Sequence, residues 1–406
     1  MYDAIVVGGG PTGSQAAFRL AQMGRRVAVL DRKLAMDEPV CCTGIVSEEC
    51  VRDYCIDQVV IIKHARRARL YSPSGREILI GRESDQAAIL NRPAFNAYMA
   101  ARSKAAGAEY VLNSHVTSIT LDKDAVNIEA ISDKSVNRMR AKVAILSTGP
   151  NPSLTSQLGI GKPGRSIGGA QAEVDITGAD EVEVYTGERF APKFFAWVVP
   201  TSPGHGLVGL LSERDPKTKL KAFLHFLSSN GRIASERVRV TVGAVPLKAM
   251  QRTHADRVLV VGAAAGQVKP TTGGGIYFGL LASDVAAETI NKALRKGDLS
   301  RKALEAYDRE WKRLLGREMK AGHQARAIFE RLNDQRLERA FDIMASPGML
   351  ARIMASDEIS FDWHSEAMRH LLQEYAFAKL MKGIGVPLRL DKRPGGTAPT
   401  RRLTKN

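Results

Sequence analysis

Residues 4–14 read Ala4-Ile5-Val6-Val7-Gly8-Gly9-Gly10-Pro11-Thr12-Gly13-Ser14, and Asp31 closes the next apolar run. The stretch Ala4–Val7 is short, apolar and β-branched, the pattern of a strand buried in a parallel sheet. Gly8, Gly10 and Gly13 carry the Gly-x-Gly-x-x-Gly spacing. The first permits a tight turn, the second lets backbone approach a pyrophosphate, and the third lets the following helix pack on the strand. That helix, about Pro11 to Met23, aims its first N–H groups at the phosphates. Gly24 stops it, Arg26–Leu30 forms the second strand, and Asp31 stands where a carboxylate can bind ribose hydroxyls. A lone glycine triplet is weak evidence. Strand, triplet, helix, strand and acid in that order are a dinucleotide-binding opening.

Working outward, Met36–Ser47 is a Pro-, Cys-, Thr- and Gly-rich loop without hydrophobic period. Strands are expected at Val59–Ile62, Ala68–Ser72 and Ile78–Gly81, then a helix at Ala94–Ala106. Further strands follow at Glu109–Leu112, Val116–Asp122, Ala125–Ile131, Ser135–Arg140 and Lys142–Leu146, the last ending in Ser147-Thr148-Gly149-Pro150. Residues 166–243 read as strand-rich with one helix, Thr218–Ser228. They form a second domain inserted into the first. The dinucleotide domain resumes at Arg257–Val261, then Gly262-Ala263-Ala264-Ala265-Gly266 and Pro270-Thr271-Thr272-Gly273-Gly274-Gly275-Ile276, with a helix to about Arg295. Residues 300–383 are mostly helical. A cofactor gripped at both ends of the chain is long and retained, which selects FAD over NAD. Gly273–Gly275 would present amides at a helix N-terminus to the flavin or ribityl end.

With 406 residues the chain has room for two or three domains, and 44% hydrophobic residues give it a globular composition. No apolar run reaches the ~18 residues of a membrane span. Because the first residues already belong to a core strand, the expectation is a cytoplasmic protein, at most peripheral to a membrane. All four cysteines lie between Cys41 and Cys55, at spacings that match no zinc or iron–sulfur set, so no metal is expected. The net charge of +16 comes partly from a basic tail, residues 387–406, that reads as disordered. No nucleic-acid motif accompanies that charge. Anionic lipid, a phosphorylated substrate or an acidic redox protein fits it better, as does a merely solvated surface.

Over about 380 residues the chain resembles the geranylgeranyl reductase family, flavoproteins of the p-hydroxybenzoate hydroxylase fold group. The fingerprint Gly8–Gly13 opens the match. Pro39-Val40-Cys41-Cys42-Thr43-Gly44 looks like the family's Cys-containing loop beside the flavin. Leu90-Asn91-Arg92-Pro93-Ala94-Phe95 is similar to the segment whose Arg contacts FAD. Phe194-Phe195-Ala196-Trp197-Val198-Val199-Pro200 looks like its aromatic strand in the substrate cavity. The run Gly266-Gln267-Val268-Lys269-Pro270-Thr271-Thr272 and on to Ile276 resembles its flavin-binding turn; these last two are the specific signals. Two positions depart from the pattern. Ala263 stands where the family usually has an Asp for a ribityl hydroxyl, a charge-assisted hydrogen bond of ~1.5–3 kcal/mol. Ser147-Thr148-Gly149 stands for Ala-Asp-Gly.

The resemblance implies a mixed α/β fold: a glutathione-reductase-type FAD-binding Rossmann domain, an inserted antiparallel-sheet substrate domain and a C-terminal helical region. The expected boundaries are 1–62, 90–165 and 246–296 for FAD, 63–89 and 166–245 for substrate, and 297–386 for the helices. Implied cofactor contacts are Gly8, Gly10, Pro11, Thr12, Gly13, Asp31, Arg32, Cys42, Thr43, Gly44, Arg92, Val116, Gly149, Ala263, Gly266, Gly273, Gly274, Gly275 and Ile276. The implied activity is saturation of isolated C=C bonds in geranylgeranyl chains of membrane lipids or their diphosphate precursors. Electrons would come from NADPH or reduced ferredoxin. An unactivated alkene needs its developing cation stabilised, which aromatic faces do. Trp197, with Phe194, Phe195 and Pro200, is the candidate substrate wall. Cys42 reads either as a proton donor or positioner beside the flavin, or as a small residue filling the loop. The helix Leu371–Met381 would close a tunnel, rest on a bilayer or simply pack on the core. Two other readings compete: an FAD-dependent aromatic-ring monooxygenase, and a flavin-fold protein that binds prenyl lipid without catalysis.

Overall fold

The structure is a computed structural model and describes residues 1–133, 135–355 and 360–365. The expected helix at Leu371–Met381 and the basic tail lie outside the described residues. Along the chain run β1 (Tyr2–Val7), α1 (Pro11–Gln22), β2 (Val27–Leu30), β3 (Ile45–Ser47), α2 (Glu48–Asp53), β4 (Ile61–Ala65), β5 (Arg67–Tyr71), β6 (Glu77–Gly81), β7 (Ala87–Leu90), α3 (Arg92–Ala105), β8 (Glu109–Val111), β9 (His115–Leu121), β10 (Val126–Ser132) and β11 (Ser135–Leu146). There follow α4 (Ser153–Gln157), β12 (Ser166–Asp175), β13 (Val182–Thr186), β14 (Phe195–Ser202), β15 (His205–Ser212), α5 (Pro216–Ser229), β16 (Val240–Pro246), β17 (His254–Ala255), β18 (Val258–Val260), α6 (Ile276–Lys296), α7 (Arg301–Phe329), α8 (Asp334–Met344) and α9 (Pro347–Ala355).

The first sheet has the order β17-β18-β11-β1-β2-β8, with the β9–β10 ribbon paired to β11. Strands β18, β11, β1, β2 and β8 are mutually parallel. Their C-terminal ends therefore point the same way, and the segments that follow them emerge on one edge. These are Gly8–Gly10, Asp31, Ser147–Gly149 and Gly262–Gly266, the crevice side on which open α/β sheets bind ligands. Ala4–Val6 and Val27–Val29 are fully buried because α1, α6 and α7 cover one face while Ile119, Ile128 and Val258 belong to a cluster on the other. α1 leans on α6 through Gln15, whose amide donates to Asp284 at 2.7 Å, and Tyr54 donates to the same carboxylate at 2.9 Å.

The second sheet, order β16-β12-β15-β14-β13-β5-β6, takes its last two strands from early in the chain. Its buried face carries Ala170, Ala172, Ala196, Val198, Val208 and Leu210 and packs on Leu220, Phe223, Leu224 and Leu227 of α5. A small third sheet has the order β3-β7-β4.

Two local expectations change. Val59 lies in a 3-10 turn, Gln58–Val60, because the Asp57 carboxylate accepts its N–H at 3.0 Å, and the strand starts only at Ile61. Ser135–Arg140 and Lys142–Leu146 form one strand. Ala141 opposes Val126 of β10 and also Tyr2 of β1, so antiparallel pairing passes into parallel pairing without a break.

Candidate functional site

The two glycine-rich segments, some 250 residues apart in sequence, meet at Thr12. A side chain at Gly262 would run into Thr12 at 2.8 Å, and one at Gly279 in α6 into its hydroxyl. Ser283 donates to the Thr12 carbonyl at 2.8 Å. Around this junction the glycines divide by what they face. Gly13 packs against the Gly8 carbonyl and Ser147, so any side chain there collides with backbone. A side chain at Gly10 would meet nothing within 4 Å. Helix and strand touch at the first position, and space is left open at the second.

That space suits an anion. α1 begins on Gly10 and α6 on Gly275, and neither N-terminus has a side-chain cap. By contrast α2, α3, α5, α7 and α8 begin on Ser47, Asn91, Asp215, Ser300 and Asn333, whose side chains accept a first-turn amide. Uncapped helix starts leave amides for a ligand. Arg92 is 9% exposed, and its Nε and Nη1 are buried without a hydrogen-bond partner among the described residues. Its aliphatic stem packs on Gly44, where φ is +78° and a side chain would start 2.7 Å from the Leu90 carbonyl oxygen. A buried guanidinium left unpaired is costly. A dinucleotide, with its phosphates and carbonyl acceptors, fits these groups.

The acid Asp31 braces this edge. Its Oδ2 accepts the Gly9 N–H at 2.6 Å and its Oδ1 the Lys33 N–H at 2.9 Å, with further lone pairs left for a ribose. Arg32 beside it is exposed, Val116 is buried two residues beyond the Ser114 amide that bonds the Asp31 carbonyl, and Gly149 sits at φ +67° after β11. Ala263 is half-buried in the 3-10 turn Gly262–Ala265, and its methyl accepts nothing. The turn is held from within: Gln267, fully buried, accepts the Gly262 N–H at 2.7 Å and donates to Tyr307 at 2.9 Å. Sequence reading missed Gln267 and Tyr307, whose partners lie on different elements.

The second sheet presents its other face to this edge. Register places Thr241, Gln171, Gly209, Trp197, Val184, Leu70 and Ile78 directly opposite one another, one from each strand of the sheet. Paired residues share a face, so these side chains form a single row. It is polar at the β16 end and apolar from Gly209 to Ile78. At ~4.8 Å per strand its length is roughly 29 Å. The Trp197 indole lies across Gly209, where an added methyl would sit 2.6 Å from Cε2. Phe195, two residues earlier on the same face, is tilted against it at 5.9 Å. The indole Nε1 is buried without a partner among the described residues.

Both loops expected beside a flavin abut this face. Thr43 bonds the Gln171 amide oxygen at 3.0 Å, and Cys41 Sγ donates to the Thr241 carbonyl at 3.7 Å and lies 3.5 Å from the side-chain position of Gly243. A side chain at Gly273 would lie 2.9 Å from Val245, two residues beyond Gly243 on the same face of β16, and 3.7 Å from Leu211. Hence Cys41 is the thiol against the sheet, while Cys42 stands half-exposed beside it. Burial pushes the Cys41 thiol up, outweighing its bond to Thr241, so the group keeps its proton at neutral pH. Phe194 is not on this face. It is fully buried in front of β14, with the Arg326 guanidinium 3.7 Å above its ring. Pro200 lies at the other end of β14 and lines a cavity of about 380 Å³ with Lys63, Arg67 and Val182. No group of three or more metal-ligating side chains and no helix long and apolar enough to cross a membrane occurs among the described residues.

The chain is similar to known proteins over most of its length. The chain is 29% identical over 357 residues to digeranylgeranylglycerophospholipid reductase of Methanocaldococcus jannaschii, covering 83% of this chain and 89% of that one. It is likewise 29% identical over 376 residues to digeranylgeranylglycerophospholipid reductase 2 of Methanopyrus kandleri, covering 88% and 94%. The crystal structure of a geranylgeranyl bacteriochlorophyll reductase-like protein from Thermoplasma acidophilum superposes with a TM-score of 0.81 at 22% identity, over 94% of this chain and 99% of that one. A halogenase in complex with FAD shares the fold at a TM-score of 0.63 and 14% identity, over 95% and 96%. The family model for lycopene cyclase protein matches residues 3–353, and the chain belongs to that family.

Proposed function

We propose that this protein is an FAD-dependent reductase that saturates C=C bonds in geranylgeranyl chains of membrane lipids or their diphosphate precursors. The observation that carries the reading is the meeting of three parts: the apolar row through Trp197, the Cys41–Gly44 loop and the Gly273–Gly275 turn. Reductases of this name are its relatives over most of the chain.

Bound FAD, once reduced, supplies the hydride; the chain does the rest. In this reading the segments 1–62, 90–165 and 246–296 hold the cofactor, and 63–89 with 166–245 hold the lipid. Gly8, Gly10, Pro11, Thr12 and Gly13 admit the pyrophosphate, Asp31 takes the ribose, and Arg92 gains the acceptors it lacks. Gly266, Gly273, Gly274, Gly275 and Ile276 take the flavin end. The row from Gly209 to Ile78 crosses four strand intervals, roughly 19 Å, about the length of an extended geranylgeranyl chain, and excludes water from it. Trp197 and Phe195 offer π faces to the carbon that gains positive character when an unactivated alkene is protonated. Cys41 is the protonated group at the flavin end of the row, with Cys42 beside it. The electron donor is NADPH or reduced ferredoxin, and the charge of +16 draws an acidic donor or an anionic membrane surface. The protein acts from the cytoplasm.

The test is mass spectrometry of geranylgeranylated phospholipid and geranylgeranyl diphosphate incubated with protein, FAD and dithionite. Products heavier by two hydrogens per bond are expected. Absence of any gain with protein that has taken up FAD rejects the reading. Gain of oxygen from a phenol supplied with NADPH and O₂ would instead establish a monooxygenase.

A further inference from the structure

Residues 360–365 are folded against the back of this site. Lys269 starts the turn that ends in Gly273–Gly275: its carbonyl accepts the Gly273 N–H at 2.8 Å, and its own N–H reaches the Gly274 carbonyl at 2.9 Å. Its ammonium is 3% exposed and donates to Asp362 Oδ1 at 2.6 Å and to the Phe361 carbonyl at 2.9 Å. The other oxygen of Asp362 accepts the N–H of Ser47 at 2.9 Å. Ser47 ends β3, the strand that leads out of the Cys41–Gly44 loop. One buried carboxylate therefore ties the glycine turn to the cysteine loop. The remainder of the segment is seated on the same turn and on α7. His364 Nδ1 lies 2.9 Å from the Thr271 hydroxyl, and its N–H and that of Ser365 donate to Glu318 of α7 at 2.6 and 3.0 Å.

A buried ion pair adds little net stability over an apolar pair, so its best-attested use is to fix register. We propose that Asp362 is a positioning residue: through Lys269 and Ser47 it sets the spacing between the two loops that flank the flavin. The inference rests on the FAD reading above.

The test compares Asp362→Asn and Asp362→Ala with Glu318→Gln in the full-length protein. Glu318 anchors the same segment but touches neither loop. Three readouts are used: the FAD dissociation constant, the visible circular dichroism of the bound flavin, and amide hydrogen exchange at residues 43–47 and 269–275 without cofactor. Both Asp362 variants should bind FAD about tenfold more weakly or worse, the worth of one hydrogen bond to a charged group. Their flavin dichroism should change and both loops should exchange faster. Glu318→Gln should match wild type in all three. Should the single variants fail to fold, the pair Lys269→Met with Asp362→Leu removes both charges together and must show the same loosened loops. An Asp362→Asn protein with wild-type FAD affinity and exchange overturns the proposal. Wild type that takes up no FAD overturns the cofactor reading instead, while exchange in the two loops still decides the tie.

Discussion

Gly209→Ala isolates the role of the row from that of the cofactor crevice. The new methyl would lie 2.6 Å from Trp197 Cε2, closer still to Cζ2, and 2.8 Å from the Ala170 carbonyl. Carbon atoms pack at ~3.5–4.0 Å. The carbonyl belongs to a paired strand and cannot retreat, so the indole must give way by about 1 Å. Overpacking of this kind costs ~1–3 kcal/mol of stability. A displacement of that size at a reacting group costs on the order of 10²-fold in rate. The new methyl meets Trp197 and Ala170 first rather than the Gly8–Gly13 or Gly273–Gly275 turns, so FAD affinity should stay at the wild-type value. The assay is turnover of a geranylgeranyl lipid under dithionite, run beside an FAD titration and a melting curve. Lost turnover with retained FAD is the expected result. Turnover equal to wild type in a protein whose melting temperature has fallen would refute the argument. It would show that the indole moved and the chemistry did not need it.

Other positions separate packing from binding in the same way. Gly13→Ala drives a methyl into the Gly8 carbonyl and should abolish soluble protein. Gly10→Ala meets nothing in the protein and should melt as wild type while losing FAD, as a titration will show. Arg92→Met removes a buried cation that has two unpaired nitrogens. Its melting temperature without cofactor should be unchanged or higher, while FAD affinity falls by about 1.5–3 kcal/mol. Burial alone would raise the Asp362 carboxyl, but the Lys269 charge and the bonds from Lys269 and Ser47 outweigh it and hold the group below its ordinary value of 3.8. A depressed carboxyl stabilises the fold above that ordinary value and loses the contribution as pH falls through its lowered one. The melting-temperature gap between wild type and Asp362→Asn should therefore be constant near neutrality and close in acid.

The cofactor half of the site was legible because its signals are local. Strand, turn, helix and acid are neighbours in sequence, and Gly273–Gly275 announces a second helix start by composition. The lipid half was only half legible. Trp197 could be picked out, but its row could not. Five of the seven strands come from residues 166–246 and two from residues 67–81, and the pairing that aligns Leu70 with Val184 is set by tertiary packing. Alternation along β14 would have removed Phe194 from the wall, since Phe195 and Trp197 share a face that Phe194, ahead of the strand, does not join. Which of two adjacent thiols touches the sheet depends on one peptide's orientation, so Cys41 was passed over for Cys42. Asp362 gave no signal at all: an acid in an unremarkable stretch acquires its meaning from Lys269, 93 residues away.

The most direct measurement is a single turnover without oxygen. The protein with bound FAD is reduced by one equivalent of dithionite, and geranylgeranylated phospholipid is added anaerobically. The account predicts that the oxidised-flavin absorbance returns and that each returned flavin matches one newly saturated C=C bond in the extracted lipid. Flavin that stays reduced until O₂ is admitted, with the lipid recovered unchanged, would contradict it.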